Sequence, residues 1–146
     1  MVRFKNRYLL CELKWEDEKY DPNIKNKDVY EAIKDSIGMN FGDFGIGLSV
    51  ISLSIKYWNP VTNLFILRVS RECYRLVWAG LSLITHIRSR RVRPSVIYCA
   101  GTIRTCERKA ALFIRNWLSK SKNPLERQLK ELQAKSMMSE LAVMIP

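Results

Sequence analysis

Apolar and polar residues alternate at the start of the chain, in a pattern that predicts a first β-strand over residues 3–15. Because successive side chains of a strand point to opposite faces, Arg3, Lys5 and Arg7 share one face, and the even-numbered face is largely apolar. This row of cations has two explanations. It either protects the solvated edge of a sheet from pairing with other strands, or it forms a surface that meets a polyanion.

A helix and a long strand are predicted next. Asp28 and Glu31 form a capping box, and apolar residues follow them at helical spacing. Gly38 and Gly42 mark the end of this helix. The run FGIGLSVISLSIKYW, residues 44–58, then predicts a strand. The parity of its apolar positions changes midway, which indicates a β-bulge at that point.

The middle of the chain predicts a hairpin, a buried helix and a basic loop. The turn NPVTN leads into a returning strand, LFILRVS, over residues 64–70. Ser70 is placed to cap a helix over residues 71–84, and apolar residues nearly encircle that helix, which predicts burial. The sequence RSRRVR, residues 88–93, predicts a basic loop ended by a proline, and SVIYCAGTIR, residues 95–104, predicts a fourth strand broken by Gly101.

The last part of the chain predicts two further helices. Thr105 is placed to cap the first, and Asn123 and Glu126 form a capping box for the second. The order of elements predicts an α+β fold, a ferredoxin-like β-α-β-β-α-β sandwich like that of RNA-recognition domains, with extra C-terminal helices. Residues 1–122 are predicted to form the RNA-binding sandwich domain. Residues 123–146 are predicted to form a helix and apolar tail that pack on this domain or on a partner.

The charge balance favours a polyanionic partner. The 146 residues include 25 Lys and Arg against 14 Asp and Glu, a net charge of +11. The charge is also segregated, because the segment from Glu16 to Asp35 is acidic on balance, whereas that from Arg88 to Lys122 carries many cations and one carboxylate, Glu107. Such a segregated excess makes nucleic acid or an anionic surface the expected partner.

Side chains for catalysis or metal binding are scarce. The only histidine, His86, stands beside a basic run, which does not help an imidazole act as a base. The cysteines at positions 11, 73, 99 and 106 lack the paired spacing of zinc ligands, and we expect buried thiols in a reducing compartment. We therefore expect no catalytic residue and no metal or cofactor bound by the protein itself. No apolar run reaches the length of a membrane-spanning helix, and the chain start lacks the apolar middle of a signal peptide.

Three groups of cations are candidates for RNA binding. They are Arg3, Lys5 and Arg7 on the first strand, Arg88, Arg90, Arg91 and Arg93 in the basic loop, and Arg104, Arg108 and Lys109 around the start of the third helix. Arg and Lys bind phosphates without reading bases, so binding should depend on salt and on the shape of the RNA. The strands lack the aromatic signature of RNA-recognition motifs; Tyr8, Tyr57 and Phe65 are available for stacking, but such residues more often lie in the core.

Three stretches carry a family resemblance. MVRFKNRYLLCEL, SLSIKYWNPVTNLFILRVSRECYRLVW and AGTIRTC together resemble the processing-of-precursors protein five family, the smallest conserved protein subunit of eukaryotic ribonuclease P and RNase MRP. The match covers most of the first 110 residues in order. The last 35 residues depart from the family, many of whose members end in an acidic tail, and no family role is carried onto them.

The resemblance implies a noncatalytic subunit in the nucleus and nucleolus. It implies that the catalyst is the partner RNA with its bound magnesium ions, and that the protein braces the core of this RNA for 5′-leader removal from precursor tRNA and for pre-rRNA processing. It also implies two protein partners, a second small subunit of similar fold and a barrel-like subunit of about thirty kilodaltons, with precursor tRNA nearby and no membrane. By motif match the RNA-facing residues are Arg3, Lys5, Arg7 and Tyr8, with Lys56, Arg71 and Arg104 behind them.

Alternative roles for two residues and two alternative functions for the chain stay open at this point. Burial of Tyr8 and a salt bridge of Arg71 at a helix start are as plausible as RNA contacts. The whole chain is alternatively a protein–protein scaffold without RNA contact, because its apolar third and fourth helices need partners. A small phosphatase of ferredoxin-like fold is a more remote alternative, with Arg3 and Asn59 as its phosphate-binding pair.

Overall fold

The computed structural model describes residues 5–18 and 23–120, together with the single positions 132, 135 and 139. Arg3 and most of the segment 123–146 lie outside the described residues, so the domain boundary after residue 122 stays a prediction. The described elements are β1 (Asn6–Trp15), α1 (Asn26–Ser49), β2 (Ser54–Asn59), β3 (Leu64–Ser70), α2 (Tyr74–Ser82), β4 (His86–Ile87), β5 (Arg90–Ala100) and α3 (Ile103–Ser119).

The strands form one curled antiparallel sheet in the order β2-β3-β1-β5-β4. Apart from the short β4, this is the ferredoxin-like order, in which the first strand lies between the third and the last. The predicted α+β fold class is therefore confirmed. Since β1 is central, the explanation of its cations as the protection of a sheet edge is wrong.

Each face of the sheet carries its own core. On one face, odd-numbered residues of β1 such as Leu9 pack with α1 and α2 through Ile33 and Val77. On the other face, Leu10 packs with α3 through Ala110 and Ile114. Leu9 and Leu10 both have no exposed surface, because a helix layer covers each side of the central strand. The strict alternation of a charged and an apolar face therefore holds only at the start of β1.

Helix α3 covers the sheet face on which RNA-recognition domains stack bases. Tyr57 is 5% exposed beneath it, and Phe65 is fully buried on the opposite face. Neither side chain can reach a base, so both belong to the core rather than to a stacking surface. Tyr8 is half-buried and packs against the edge of the α3 core.

The long strand predicted over residues 44–58 is wrong for its first half. Helix α1 continues to Ser49, and only residues from Ser54 onward form β2. Gly42 lies within α1 at φ 68° and ψ −165°, so it kinks the helix rather than ending it. The expected bulge lies further along the chain, where the register shifts between Ile55 and Tyr57. The hairpin of β2 and β3 is confirmed.

Three helix starts also differ from their predicted positions. α1 begins before Asp28, whose carboxylate accepts the backbone N–H of Lys25 at 2.9 Å. α2 follows Cys73 rather than Ser70, and at α3 the hydroxyl of Thr102 accepts the N–H of Thr105. Helix α2 is less buried than expected, because it leaves two large side chains exposed, Trp78 and Leu83 just beyond its end.

The predicted basic loop over residues 88–93 is a β-hairpin. Arg88 and Ser89 have φ values of 49° and 65° and form its turn, and β5 begins at Arg90. Pro94 does not end a loop but lies inside β5, opposite Leu13 of β1. It is tolerated there because β4 pairs only with residues 90 and 91, so β5 is an edge strand beyond them.

The kink in α1 yields a prediction for protein stability. Gly42→Ala is expected to lower the free energy of unfolding by about 1–3 kcal/mol, because its φ and ψ lie in a region that only glycine adopts readily. Gly47→Ala is the matched control in the same helix, where an added Cβ meets no atom within 4 Å. Alanine in a helix should there raise stability by up to about 1 kcal/mol. Urea unfolding measures both, and a Gly42→Ala variant as stable as the wild type would contradict the kink.

Candidate nucleic-acid interface

Four cations meet where β1 begins. The backbone N–H of Arg71, just after β3, donates to the carbonyl of Lys5 at 2.9 Å, so the two residues are neighbours, and both side chains are exposed. β5 ends at the same end of the sheet, and a Cβ atom placed on Gly101 would lie 3.7 Å from Nη1 of Arg7. Arg104 follows in the first turn of α3 and is exposed. We call Lys5, Arg7, Arg71 and Arg104 the amino-end cluster.

The amino-end cluster is cationic without local compensation. Among the described residues, no carboxylate lies within 4 Å of its side chains. Its members come from three separate stretches of sequence that only the fold brings together. The salt bridge considered for Arg71 at a helix start is not formed with any described residue, so the exposed guanidinium is available to a partner.

The start of α3 adds a positive pole to this cluster. The first turn contains no acidic residue, and it carries Arg104, although a carboxylate is the group that stabilises a helix N-terminus. The first acid along α3 is Glu107, whose pKa is raised by burial and lowered in part by Arg104. A cation at a helix N-terminus, where no carboxylate offsets it, destabilises the helix itself but strengthens the attraction of that end for a phosphate.

Two further predicted cations extend this surface along α3. Arg108 shares a surface cleft with Arg104, and Lys109 places Nζ 5.1 Å from the ring centre of Tyr98 on β5. Both side chains are exposed. Lys56 is exposed on the edge strand β2, at the register shift, and lies apart from these residues.

One cation of this region was missed from the sequence. Arg68 stands opposite Tyr8 in the β1–β3 pairing, and its buried Nε has no hydrogen-bond partner among the described residues. An arginine inside the otherwise apolar strand LFILRVS is the signal that would have found it. Tyr8 and Arg68 are both half-buried and lie next to each other on the sheet, beside the amino-end cluster.

The basic hairpin behaves differently, because acidic residues neutralise most of it. Arg88 contacts Asp28 at 3.1 Å, Arg90 contacts Asp17 at 2.7 Å and Arg91 contacts Glu16 at 3.5 Å. The guanidinium of Arg90 also lies 4.2 Å from the ring centre of Trp15. Arg93 is exposed and stands opposite Lys14. The charge segregation of the sequence thus becomes ion pairing in the fold.

The hairpin and the amino-end cluster lie at opposite ends of the sheet. Strand β5 connects them with 11 residues, a span of about 35 Å. The cations from Arg88 to Lys109 therefore do not form one surface. Of the sequence-predicted residues, the structure brings Lys5, Arg7, Tyr8, Arg71, Arg104, Arg108 and Lys109 to one end, and it places Arg88, Arg90, Arg91 and Arg93 at the other.

Glu12 provides a test of the electrostatics beneath α3. Its pKa is raised by burial, with Lys14 and Lys120 lowering it in part. Since a raised folded-state pKa makes the folded protein bind the proton more tightly, Glu12 costs stability as the pH rises through that pKa. Glu12→Gln is therefore expected to raise the melting temperature at pH 7 and to have little effect at pH 3.5. An equal gain at both pH values would indicate packing rather than ionisation.

The expectation of buried thiols holds for three of the four cysteines. Cys11, Cys73 and Cys106 are buried, whereas Cys99 is only half-buried; burial raises the pKa of Cys106 to about 12, so its thiol stays protonated. No group of three or more His, Cys, Asp or Glu residues within residues 5–18 and 23–120 is placed to hold a metal ion. The helices described there are also too short or too polar to cross a bilayer.

Sequence comparison adds a family to this geometry. A model of the Rpp14/Pop5 family matches residues 7–111. The chain is 40% identical over 116 residues to ribonuclease P/MRP protein subunit POP5 of Schizosaccharomyces pombe, covering 73% of this chain and 84% of that protein. It is 35% identical over 112 residues to the Homo sapiens subunit of the same name, covering 74% and 69%. For the probable subunit of Arabidopsis thaliana the identity is 41% over 112 residues, covering 73% and 74%.

Structure comparison gives a similar fold at low sequence identity. A chain in the cryo-EM structure of yeast ribonuclease MRP superimposes with a TM-score of 0.55 and 12% identity. The match covers 70% of this chain and 79% of that chain. At this identity the similarity supports the fold alone, and it agrees with the ferredoxin-like strand order.

Proposed function

The chain belongs to the Rpp14/Pop5 family, and we propose that it is a noncatalytic protein subunit of a ribonuclease P/MRP ribonucleoprotein. In this role the protein braces the folded core of the partner RNA. The RNA, with magnesium ions bound to it, performs 5′-leader removal from precursor tRNA and pre-rRNA processing. The proposed location is the nucleus and nucleolus, where such a particle works.

The observation that carries the RNA-binding part of this proposal is the amino-end cluster. It joins exposed, uncompensated cations to the N-terminus of α3, where backbone N–H groups and the helix dipole also attract phosphate. Because α3 covers the sheet, stacking on the strands is not available, and phosphate contacts dominate. The proposed binding is therefore shape-driven and salt-dependent rather than sequence-specific.

The phosphatase alternative has no geometric support. Asn59 ends β2 beside the turn that follows, and its side chain accepts the N–H of Val61 at 2.8 Å. β2 runs parallel to β1, so Asn59 lies at the end where β1 finishes. Arg3 precedes the start of β1 by three residue steps, which span at most about 10 Å, against about 33 Å for the strand.

Affinity isolation of the full chain tests the proposal. RNA of the ribonuclease P or MRP type should copurify with the tagged chain, and depletion of the protein should cause precursor tRNA with an intact 5′ leader to accumulate. The proposed partners are a second small subunit of similar fold and a barrel-like subunit of about thirty kilodaltons. Isolation of the chain with proteins but without RNA, and with normal tRNA processing, would favour the scaffold alternative instead.

A further inference from the structure

Among the described residues, the far half of α1 and the turn that follows it leave large apolar side chains exposed. Phe44 is 78% exposed and Leu48 49%, and their spacing of four residues places them on one side of the helix. Ile51, which is 92% exposed, lies in the turn just after α1. Met39, just before the kink, is 87% exposed. We call these four residues the α1 apolar surface. Large apolar side chains that are exposed together on a monomer usually mark a binding site.

The charges carried by α1 itself disfavour RNA as the occupant of this surface. Residues 35–55 contain no Lys or Arg, in a chain that has 25 of them. Asp35 and Asp43 are exposed along its edge, and among the described residues no cation lies within 4 Å of either carboxylate. Phosphate would be repelled here, whereas a partner that carries Lys or Arg beside an apolar stripe would be attracted.

A cleft next to Met39 continues the same chemistry. It has a volume of about 320 Å³ and runs between α1 and the segment that joins α2 to β4. Glu31 and Asp35 line one side, and Leu83, which is 53% exposed, lines the other; Arg88, which also lines the cleft, is paired with Asp28. Apolar contact surface with acidic edges therefore extends along α1 on both sides of the kink.

Two other occupants fit less well. A second copy of this chain in a twofold dimer would place Asp35 and Asp43 against the same acidic surface, without compensating cations. The C-terminal segment of this chain fits less well because it begins after Lys120 at the end of α3. Lys120 lies close enough to Glu12 to lower its pKa, and α3 covers the face of the sheet opposite to α1. A separate protein avoids both difficulties.

We propose that the α1 apolar surface docks an amphipathic helix of a protein partner, whose apolar stripe is flanked by Lys and Arg. Two helices pack side by side when their rows of side chains interlock. Phe44 and Leu48 supply such a row on α1, Ile51 adds an apolar side chain in the turn after it, and Asp35 and Asp43 then meet the basic flanks. The partner belongs to the particle of the proposed function, but the docking chemistry does not depend on RNA contact by this chain.

A photo-crosslinking amino acid at Phe44 or Ile51 of the full chain, expressed in cells, tests the proposal. We expect a crosslink to another protein, mapped to a segment with apolar residues at positions i, i+4 and i+7 and flanking Lys or Arg. D35K/D43K should lower the crosslink yield several-fold while leaving the melting temperature unchanged. The same crosslinker at Leu112, 49% exposed on α3, is the control and should not label this segment.

Several results would overturn the proposal. A crosslink to RNA, to a second copy, to residues 121–146 of the same chain or to an acidic segment would identify a different occupant. A yield unchanged by D35K/D43K would remove the charge argument, and the absence of any crosslink would leave the surface unoccupied. RNA recovered with the tagged wild-type chain is a separate readout, so failure of the docking proposal and failure of the proposed function are distinguishable.

Discussion

Replacing Lys5, Arg71 and Arg104 together by alanine is expected to lower the affinity for structured ribonuclease P RNA by roughly 100-fold at 0.15 M salt. These three exposed cations come from the start of β1, the end of β3 and the first turn of α3. Each phosphate contact that is lost should flatten the slope of log K against log salt concentration by about 0.7 to 0.9. Filter binding of the full chain across a salt series measures both quantities.

The basic hairpin supplies the matched control. Arg88, Arg90 and Arg91 carry the same total charge, but each of them contacts a carboxylate in the fold. Their replacement by alanine removes three cations and releases three acids at the opposite end of the sheet, so the salt slope should change much less. If the hairpin variant flattened the slope and the amino-end variant did not, the RNA surface would lie at the hairpin. The assignment of RNA binding to the amino-end cluster would then be wrong.

Ile114→Ala is expected to destabilise the fold by about 2–5 kcal/mol. Ile114 has no exposed surface and packs against Leu10 and Ile66 of the sheet, with Ala110 beside it on α3. Truncation removes apolar contacts and leaves a cavity under α3, since the surrounding strands are held by their own pairing. Equilibrium unfolding in urea measures the change, and a lower midpoint at unchanged m-value would show a loss of stability without loss of cooperativity.

Leu112→Ala is the control for this experiment. Leu112 lies two residues away on the same helix but is 49% exposed, so its loss should change stability by less than about 0.5 kcal/mol. Equal effects of the two variants would mean that α3 does not cover the sheet in solution. The face carrying Tyr57 would then be open to bases, and the argument against stacking would fail with it.

The sheet was more predictable than the first helix. The β2–β3 hairpin is encoded locally, by a short polar turn between two apolar runs, and it formed as expected. The strand prediction for residues 44–53 was wrong because two patterns overlap there. Phe44, Leu48 and Ile51 recur at helical spacing, while apolar and polar residues around them also alternate as in a strand. A short apolar run does not distinguish these periods. The glycine taken as a helix end instead allowed α1 to bend and continue, a choice set by tertiary packing.

The candidate site was predictable in its residue types but not in its grouping. Lys5, Arg71 and Arg104 are distant in sequence, and only the antiparallel order of β3, β1 and β5 brings them to one end of the sheet. The neutralisation of the hairpin was equally hidden, because Asp17 and Arg90 are 73 residues apart. Local patterns report which side chains are available, whereas pairing over such distances depends on the fold.

The direction of α3 has a practical consequence for labelling the protein. The helix begins in the amino-end cluster and runs 17 residues back along the sheet, about 25 Å, so that residue 120 emerges near Glu12. A fluorophore or fusion partner joined before Lys5 would therefore sit on the proposed RNA surface and obstruct it. Attachment at Lys120, next to the end of α3, leaves that surface clear and is the better choice for measuring assembly.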